Sequence, residues 1–236
     1  MTVLLMRLAG PMQSWGTQSR FTNRDTGLEP SRSGVVGLLC AALGRSRDQS
    51  LDIFRPLRMA VRVDREGRLM RDYQTAQEVR RADPTKGTQE TVVSERFYLA
   101  DADFLVGLEG DRSFLELLDA ALRRPFWPLF LGRKAFAPAL PVRAGVGDAD
   151  LITVLASQPW QKRHRGEEPP AGPLRGVVES LTYGEGEPRQ DVPLSFLSRE
   201  RRFAVRYVLI RPDLFPVPPI LEPEQESHRV PEQTGP

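Results

Sequence analysis

Apolar residues run almost without a break from Thr2 to Leu8, interrupted only by Arg7, and Ala9-Gly10-Pro11 ends the run. That length and punctuation predict a buried first strand. A loop from Met12 to Arg32 follows, and Ser33 then stands where it can cap a helix over Gly34 to Leu43, with Gly44 as its left-handed stop. Met59 to Val63 and Ala100 to Leu108 read as a second and a third strand. Between them lies a polar stretch, with Arg71-Asp72-Tyr73-Gln74 and Arg80 to Thr91, that is too long for an ordinary connection. Next, Phe114, Leu117, Leu118, Ala121 and Leu122 recur at helical spacing behind a Ser113 cap, and Pro125 follows their end. A fourth strand near Trp127 to Leu131 completes β-α-β-β-α-β, the order of the ferredoxin-like fold that RNA-recognition modules also use.

Beyond this body the pattern weakens. Short strand candidates at Leu151 to Leu155, Gly176 to Tyr183 and Phe203 to Ile210 are separated by Pro- and Gly-rich segments such as Glu167 to Pro173, and no internal repeat is found. The expected class is α+β. A ferredoxin-like domain spans residues 1–140 and a β-rich C-terminal subdomain spans 141–215. From Pro216 to residue 236 the recurring prolines, with Glu222, Glu224, Glu226 and Glu232, predict a disordered acidic tail.

Composition changes this picture in a few places only. A chain of 236 residues can bury a core, and 40% apolar with 27% charged residues is ordinary for a folded soluble protein. The 33 basic against 31 acidic residues say little by their sum. Their type says more: Lys86, Lys134 and Lys162 are the only lysines, and arginine is the side chain whose planar fork suits phosphate and whose face stacks on bases. Arginine-rich codon usage in a high-GC genome would give the same bias. Ala120 to Gly147 holds Arg123, Arg124, Arg133, Lys134 and Arg143 and no acidic residue, which marks a candidate electropositive stripe or a plain turn with exposed cations. Within it Gly132 lets the backbone come close to a ligand. A second basic cluster, Trp160 to Arg165, ranks lower. The single cysteine, Cys40, sits in an apolar stretch, so it fills core space and implies a reducing compartment. No run approaches the roughly 18 apolar residues of a membrane span, and a cytoplasmic protein with no membrane partner is expected.

The most distinctive run is Leu8-Ala9-Gly10-Pro11-Met12-Gln13-Ser14-Trp15-Gly16, which leads through Ser19-Arg20-Phe21 and Arg24-Asp25-Thr26 to Pro30-Ser31-Arg32-Ser33-Gly34. It joins a strand end rich in Gln13 and Ser14 to a helix whose amino end carries Ser31, Ser33 and a glycine, a natural anion site. Trp15 and Phe21 either stack on bases, with Arg20, Arg24 and Arg32 on phosphates, or pack the loop onto the core.

These residues resemble the Cas-five family of CRISPR-associated proteins, RAMP-superfamily members, in its type I-E form. The resemblance continues through Val35-Val36-Gly37-Leu38-Leu39, Val61-Arg62-Val63-Asp64-Arg65, Arg71-Asp72-Tyr73-Gln74-Thr75-Ala76, Tyr98-Leu99-Ala100-Asp101-Ala102-Asp103-Phe104 and Leu131-Gly132-Arg133-Lys134, strongly over residues 1 to 140. It implies a non-catalytic subunit that grips the 5′ handle of CRISPR RNA in the Cascade complex. It also implies a β-hairpin thumb inserted at about 71–97, where the polar stretch lies. Arg80, Arg81, Lys86 and Arg96 on that thumb, and Arg133 with Lys134, are then placed against phosphate, although Arg80 and Arg81 also read as a solvated turn. Partners implied are the large subunit and the repeated backbone subunit, with target DNA reached indirectly through the complex.

Some relatives cut RNA, so a metal-independent endoribonuclease is the rival reading. Such chemistry needs a base near the 2′-hydroxyl. Only His164 and His228 are present as histidines, and Tyr73 and Tyr98 read as packing or stacking residues. No phosphate-binding glycine loop, metal-spaced Cys/His set or nucleophile elbow occurs, and Asp101 with Asp103 makes no metal site alone, so no cofactor or metal is expected.

Overall fold

Strand β1 (Thr2–Ala9) is buried along its whole length because both of its faces are covered. Leu4, Met6 and Leu8 point into one apolar cluster with Val35, Leu39, Leu115 and Leu118. Val3 and Leu5 point the other way, into a second cluster with Leu151, Val154 and Leu155. An unbroken apolar run is what such a two-sided strand requires, and each large side chain so buried contributes about 1.5 to 3 kcal/mol. The structure is a computed structural model that describes residues 1–16, 22–81, 83–164 and 166–221. Arg20, Phe21, Arg165, His228 and the tail from residue 222 lie outside the described residues.

After β1 come β2 (Met12–Gln13), β3 (Asn23–Arg24), α1 (Arg32–Leu43), β4 (Arg58–Arg65), β5 (Arg68–Arg80), β6 (Thr88–Ala100), β7 (Asp103–Gly110), α2 (Arg112–Arg123) and β8 (Arg143–Gly147). The chain goes on with α3 (Leu151–Ser157), β9 (Trp160–Gln161), β10 (Leu174–Glu179), β11 (Glu187–Ser195), β12 (Arg202–Phe215) and β13 (Ile220–Leu221). One seven-stranded sheet runs β11-β12-β10-β4-β7-β1-β8, so strands from the last third of the chain extend the sheet begun by the first. The pairings of β1 with β7 and β8, and of β4 with β7 and β10, are all antiparallel. Helices α1 and α2 pack on one face and α3 on the other. No helix among the described residues is long and apolar enough to cross a membrane.

Four sequence expectations need correction. Ser31, not Ser33, caps α1: its hydroxyl accepts from Gly34 N at 3.2 Å, and the helix starts two residues earlier than expected. Gly44 does stop it, at φ 69°. Asp111, not Ser113, caps α2, accepting from Phe114 N at 3.0 Å. The fourth central strand is Arg143–Gly147, whereas Trp127 to Leu131 is irregular. Pro128 removes a donor there, and the amides of Trp127 and Leu131 bond to Ala41 O and Phe136 O instead of a ladder. Leu151 to Leu155 is helical because the Asp150 carboxylate takes the amides of Ile152 and Thr153, both at 3.1 Å.

Strands β5 and β6 form a long antiparallel hairpin from Arg68 opposite Ala100 to Arg80 opposite Thr88, inserted between β4 and β7. Its outer part is exposed on both faces. Its base is held: β2 pairs with β6 at Ala100 and Leu99, and β3 with β6 at Glu95 and Arg96.

A charged cluster is enclosed under α3. Arg7 contacts Asp64 and Asp103, each at 3.0 Å; Arg62 contacts Asp64 at 2.6 Å; Arg65 contacts Asp103 at 2.6 Å and Glu167 at 2.7 Å. Arg62 also donates to Leu155 O and Gln158 O, both at 2.6 Å, closing the carboxyl end of α3. Arg65 lies 4.3 Å above the Trp160 ring. Asp103 is therefore a structural anchor, and Asp101, at φ 57°, makes the turn into β7. Among the described residues no group of three or more His, Cys, Asp or Glu is arranged to hold a metal.

Candidate nucleic-acid interface

The two motifs that stand apart in the sequence meet face to face. The Trp15 indole lies against the first turn of α1, where a Cβ on Gly34 would come within 2.8 Å of its Cε3. Its Nε1 donates to Gln13 Oε1 at 3.2 Å, and the Gln13 amide donates to Leu8 O at 2.9 Å and Ala102 O at 2.8 Å. Gln13 is 0% and Trp15 2% exposed. Of the two roles open to Trp15, packing is the one the fold uses, and Gln13 is a tie between β1, the β6–β7 turn and that ring. Side chains enclosed with their hydrogen bonds made have no surface left for a ligand.

The amino end of α1 is likewise satisfied from within. The Asp191 carboxylate accepts from Arg32 N at 2.7 Å and holds Arg206 through two bonds of 2.7 and 2.9 Å. Arg32 turns inward to Glu179 and to the carbonyls of Phe54 and Leu57. The helix dipole and the guanidinium that were expected on phosphate are thus neutralised by carboxylates from β10 and β11. Ser31 is the buried cap, and Ser33, half-buried, faces the open side.

That open side is a groove of about 970 Å³ running past Ser14 to Gly16, along α1 and up to residues 190–203. Its floor is smooth, with Gly34, Gly37 and Ala41 on the α1 side. Among the described residues, Arg24, Arg45, Arg47, Arg133 and Arg201 line it with one carboxylate, Asp25. Trp127, Phe130, Phe196 and Phe203 supply aromatic surface. The rim is fixed by Gly132, at φ 88°, where a Cβ would sit 1.7 Å from Ser14 O. The close approach expected of Gly132 is therefore to protein backbone. Ser14 N bonds Leu131 O at 3.1 Å and its hydroxyl reaches Phe97 O at 3.3 Å, so Ser14 is a strut of the rim.

Arg133 is aimed by its neighbours. It donates to Phe97 O at 2.8 Å and Arg24 O at 3.2 Å, and it lies 5.5 Å from the Phe136 ring centroid. Burial, then the nearby Arg96 and Arg24 cations, push its pKa below the ordinary guanidinium value. Like charges held together in this way are the electrostatic condition for taking up an anion. Arg96 is half-buried, with its Nε on Ser94 Oγ at 3.0 Å, and Lys134 is exposed beside Arg133. Arg80, Arg81 and Lys86 lie exposed at the outer end of the hairpin rather than on the groove wall, and Lys86 is 3.6 Å from Asp83. Elsewhere in the expected basic stripe, Arg143 and Arg123 both pair with Asp119, at 2.7 and 3.2 Å. Tyr98 packs on Phe136 at 5.9 Å, while Tyr73 and His164 are exposed.

Sequence reasoning missed Arg45, Arg47, Trp127, Phe130, Phe196, Arg201 and Phe203. A signal existed for two of them: Arg45 and Arg47 directly follow the helix stop at Gly44. The others reach the groove only through the fold.

The family described as CRISPR-associated protein (Cas_Cas5) matches residues 3–209. The CRISPR system Cascade subunit CasD of Escherichia coli (strain K12) is 33% identical over 217 residues, covering 84% of this chain and 93% of that protein. A chain of a CRISPR RNA-guided surveillance complex superposes with a TM-score of 0.75 at 37% identity, covering 92% of both chains. A further solved structure, described as a Cas protein, gives 0.70 at 40% identity over 91% of this chain and 98% of its own. With most of its length matched in sequence and in its strand-rich mixed α/β fold, the chain belongs to the Cas5 family of CRISPR-associated proteins.

Proposed function

We propose that this chain is a non-catalytic subunit of a type I-E Cascade complex and grips the 5′ handle of a CRISPR RNA. The groove carries the proposal: among its described lining residues are five guanidinium groups and one carboxylate, with a smooth floor and aromatic surface on its walls. Cations that track a backbone, combined with rings that accept bases, are the general equipment for single-stranded nucleic acid. The strand order β8-β1-β7-β4, with two helices on one face, supports reading the body as ferredoxin-like. Hairpin β5–β6 is then the thumb, its outer Arg80, Arg81 and Lys86 meeting RNA or the large and backbone subunits, and target DNA is reached only through the assembled complex. Catalysis is assigned to no residue, because a general base must stand beside the RNA, and His164 is not among the groove-lining side chains.

Labelled CRISPR repeat RNA incubated with the purified protein, with and without divalent metal, tests this reading. Binding that weakens with salt, with the RNA left intact, is expected. Specific cleavage abolished by His164→Ala would instead assign a metal-independent endoribonuclease, and failure to bind RNA at low salt would reject the grip.

A further inference from the structure

Trp127 and Phe130 are exposed on the groove wall, 41% and 37% respectively, yet their loop is tied to the body by backbone hydrogen bonds. Phe126 N donates to Ala42 O at 2.9 Å and Trp127 N to Ala41 O at 3.1 Å, so the segment bonds two carbonyls of the last turn of α1, that of Ala41 being shared with Gly44 N. Pro125 and Pro128 bracket the pair and fix φ on both sides. Beneath them Gly44, in its left-handed conformation, leaves room for Phe126, whose Cγ would be 2.7 Å from a Cβ there. Phe126 in turn meets Trp127 edge-on, with ring centroids 5.2 Å apart at 86°.

None of this needs the exposed faces. The backbone alone closes the helix, and Leu131, fully buried, anchors the loop to the core. The other two tryptophans, Trp15 and Trp160, are each 2% exposed. A large ring held still and left uncovered is a surface built in advance for a flat partner. The surroundings decide which one. Arg45 and Arg47 line the same groove, and Asp25, the one carboxylate among its described lining residues, is too little to balance a basic peptide. A planar group that arrives with its own negative charge satisfies both conditions.

We infer that Trp127 and Phe130 form a stacking wall that takes one unpaired nucleobase of the RNA strand, while Arg45 and Arg47 meet the adjoining phosphates. The inference rests on the RNA-gripping reading of the groove and adds the chemistry of one subsite. Stacking uses the π face that every base has, so the subsite tolerates sequence and favours purines over pyrimidines only by their larger rings.

Trp15 borders the groove but is 2% exposed, and Trp160 is not among the groove-lining residues, so Trp127 is the indole whose face a ligand there can cover. The full-length protein is titrated with a short single-stranded RNA of repeat sequence, and affinity and tryptophan emission are followed together. Wild type should bind with quenched emission, and Trp127→Phe should bind nearly as well without that quenching. Trp127→Ala should bind roughly tenfold more weakly, within the range of one lost base stack. Phe130→Ala should weaken binding in the same direction. An abasic residue scanned along the RNA should abolish the difference between wild type and Trp127→Ala at one position. RNA bound with unchanged emission, and with equal affinity for wild type and Trp127→Ala, would overturn the stacking wall and leave the groove reading standing. Absence of any RNA binding would overturn both.

Discussion

Two sets of arginines in this molecule are chemically identical and do opposite work. Under α3, Arg7, Arg62 and Arg65 face Asp64, Asp103 and Glu167, one carboxylate for each guanidinium, in a largely buried site. In the groove beside α1, the described lining residues include five arginines and one aspartate. The first set is matched charge for charge inside the protein, whereas among the described groove-lining residues the second leaves a net positive charge that attracts an anion. The role of an arginine is fixed by the carboxylates that the fold brings to it, and a count along the chain does not contain that information. Arg32 shows the point sharply, since it belongs to the groove motif by sequence and to the neutralised class by structure.

The contrast breaks most visibly at Asp64. Asp64→Ala leaves both Arg7 and Arg62 short of a partner in an enclosed site, and a loss of about 3 to 5 kcal/mol is expected in denaturant unfolding. A loss below about 1 kcal/mol would mean that water already reaches the cluster. Shortening the hairpin comes next. Joining Ala76 to Val92 through an Asn-Gly turn removes the exposed outer part and leaves the pairing of β3 with Glu95 and Arg96 intact. Melting should hardly change, while co-purification with guide RNA and sibling subunits should be lost. Normal assembly of that variant would end the thumb reading. Arg47→Ala combined with Arg201→Ala, both exposed, should alter stability by less than about 0.5 kcal/mol. The slope of log affinity for single-stranded RNA against log salt should meanwhile fall by about 1.4, two phosphate contacts at about 0.7 each. An unchanged slope would place these cations off the RNA path.

The smallest effect concerns the cap of α2. Hydrogen bonds from the Ser113 hydroxyl and the Phe114 amide hold the Asp111 carboxyl below its ordinary pKa. Its contribution is therefore present above the unfolded-state pKa and fades as pH falls through the lowered native value. Asp111→Asn keeps an acceptor at the cap, so it should melt like wild type at neutral pH and show a shallower decline on the acid side. Matching pH profiles for the two proteins would remove Asp111 from the acid response.

Much of the body was legible because its elements are specified locally. The run at β1, the spacing in α2 and Gly44 after α1 each follow from neighbours in the chain. Errors arose where local appearance and tertiary context disagree. Trp127 to Leu131 looks like a strand by its apolar content, whereas Arg143–Gly147 is diluted by two glycines and looks like a turn. The site was less legible for the same reason. Gln13 is satisfied by a carbonyl 89 residues away, and the Arg32 backbone by a carboxylate 159 residues away. Phe196, Arg201 and Phe203 enter the groove only because β10, β12 and β11 extend the central sheet.

The charge cluster beneath α3 also constrains how the sequence can drift. Removing any single member strands a charge, whereas exchanging a whole buried ionic set for apolar residues of similar volume is often neutral or stabilising. Every one-step route out of the cluster therefore passes through a weaker protein, even where the destination is sound. Persistence of these residues among descendants would record that barrier and needs no contact with RNA to explain it.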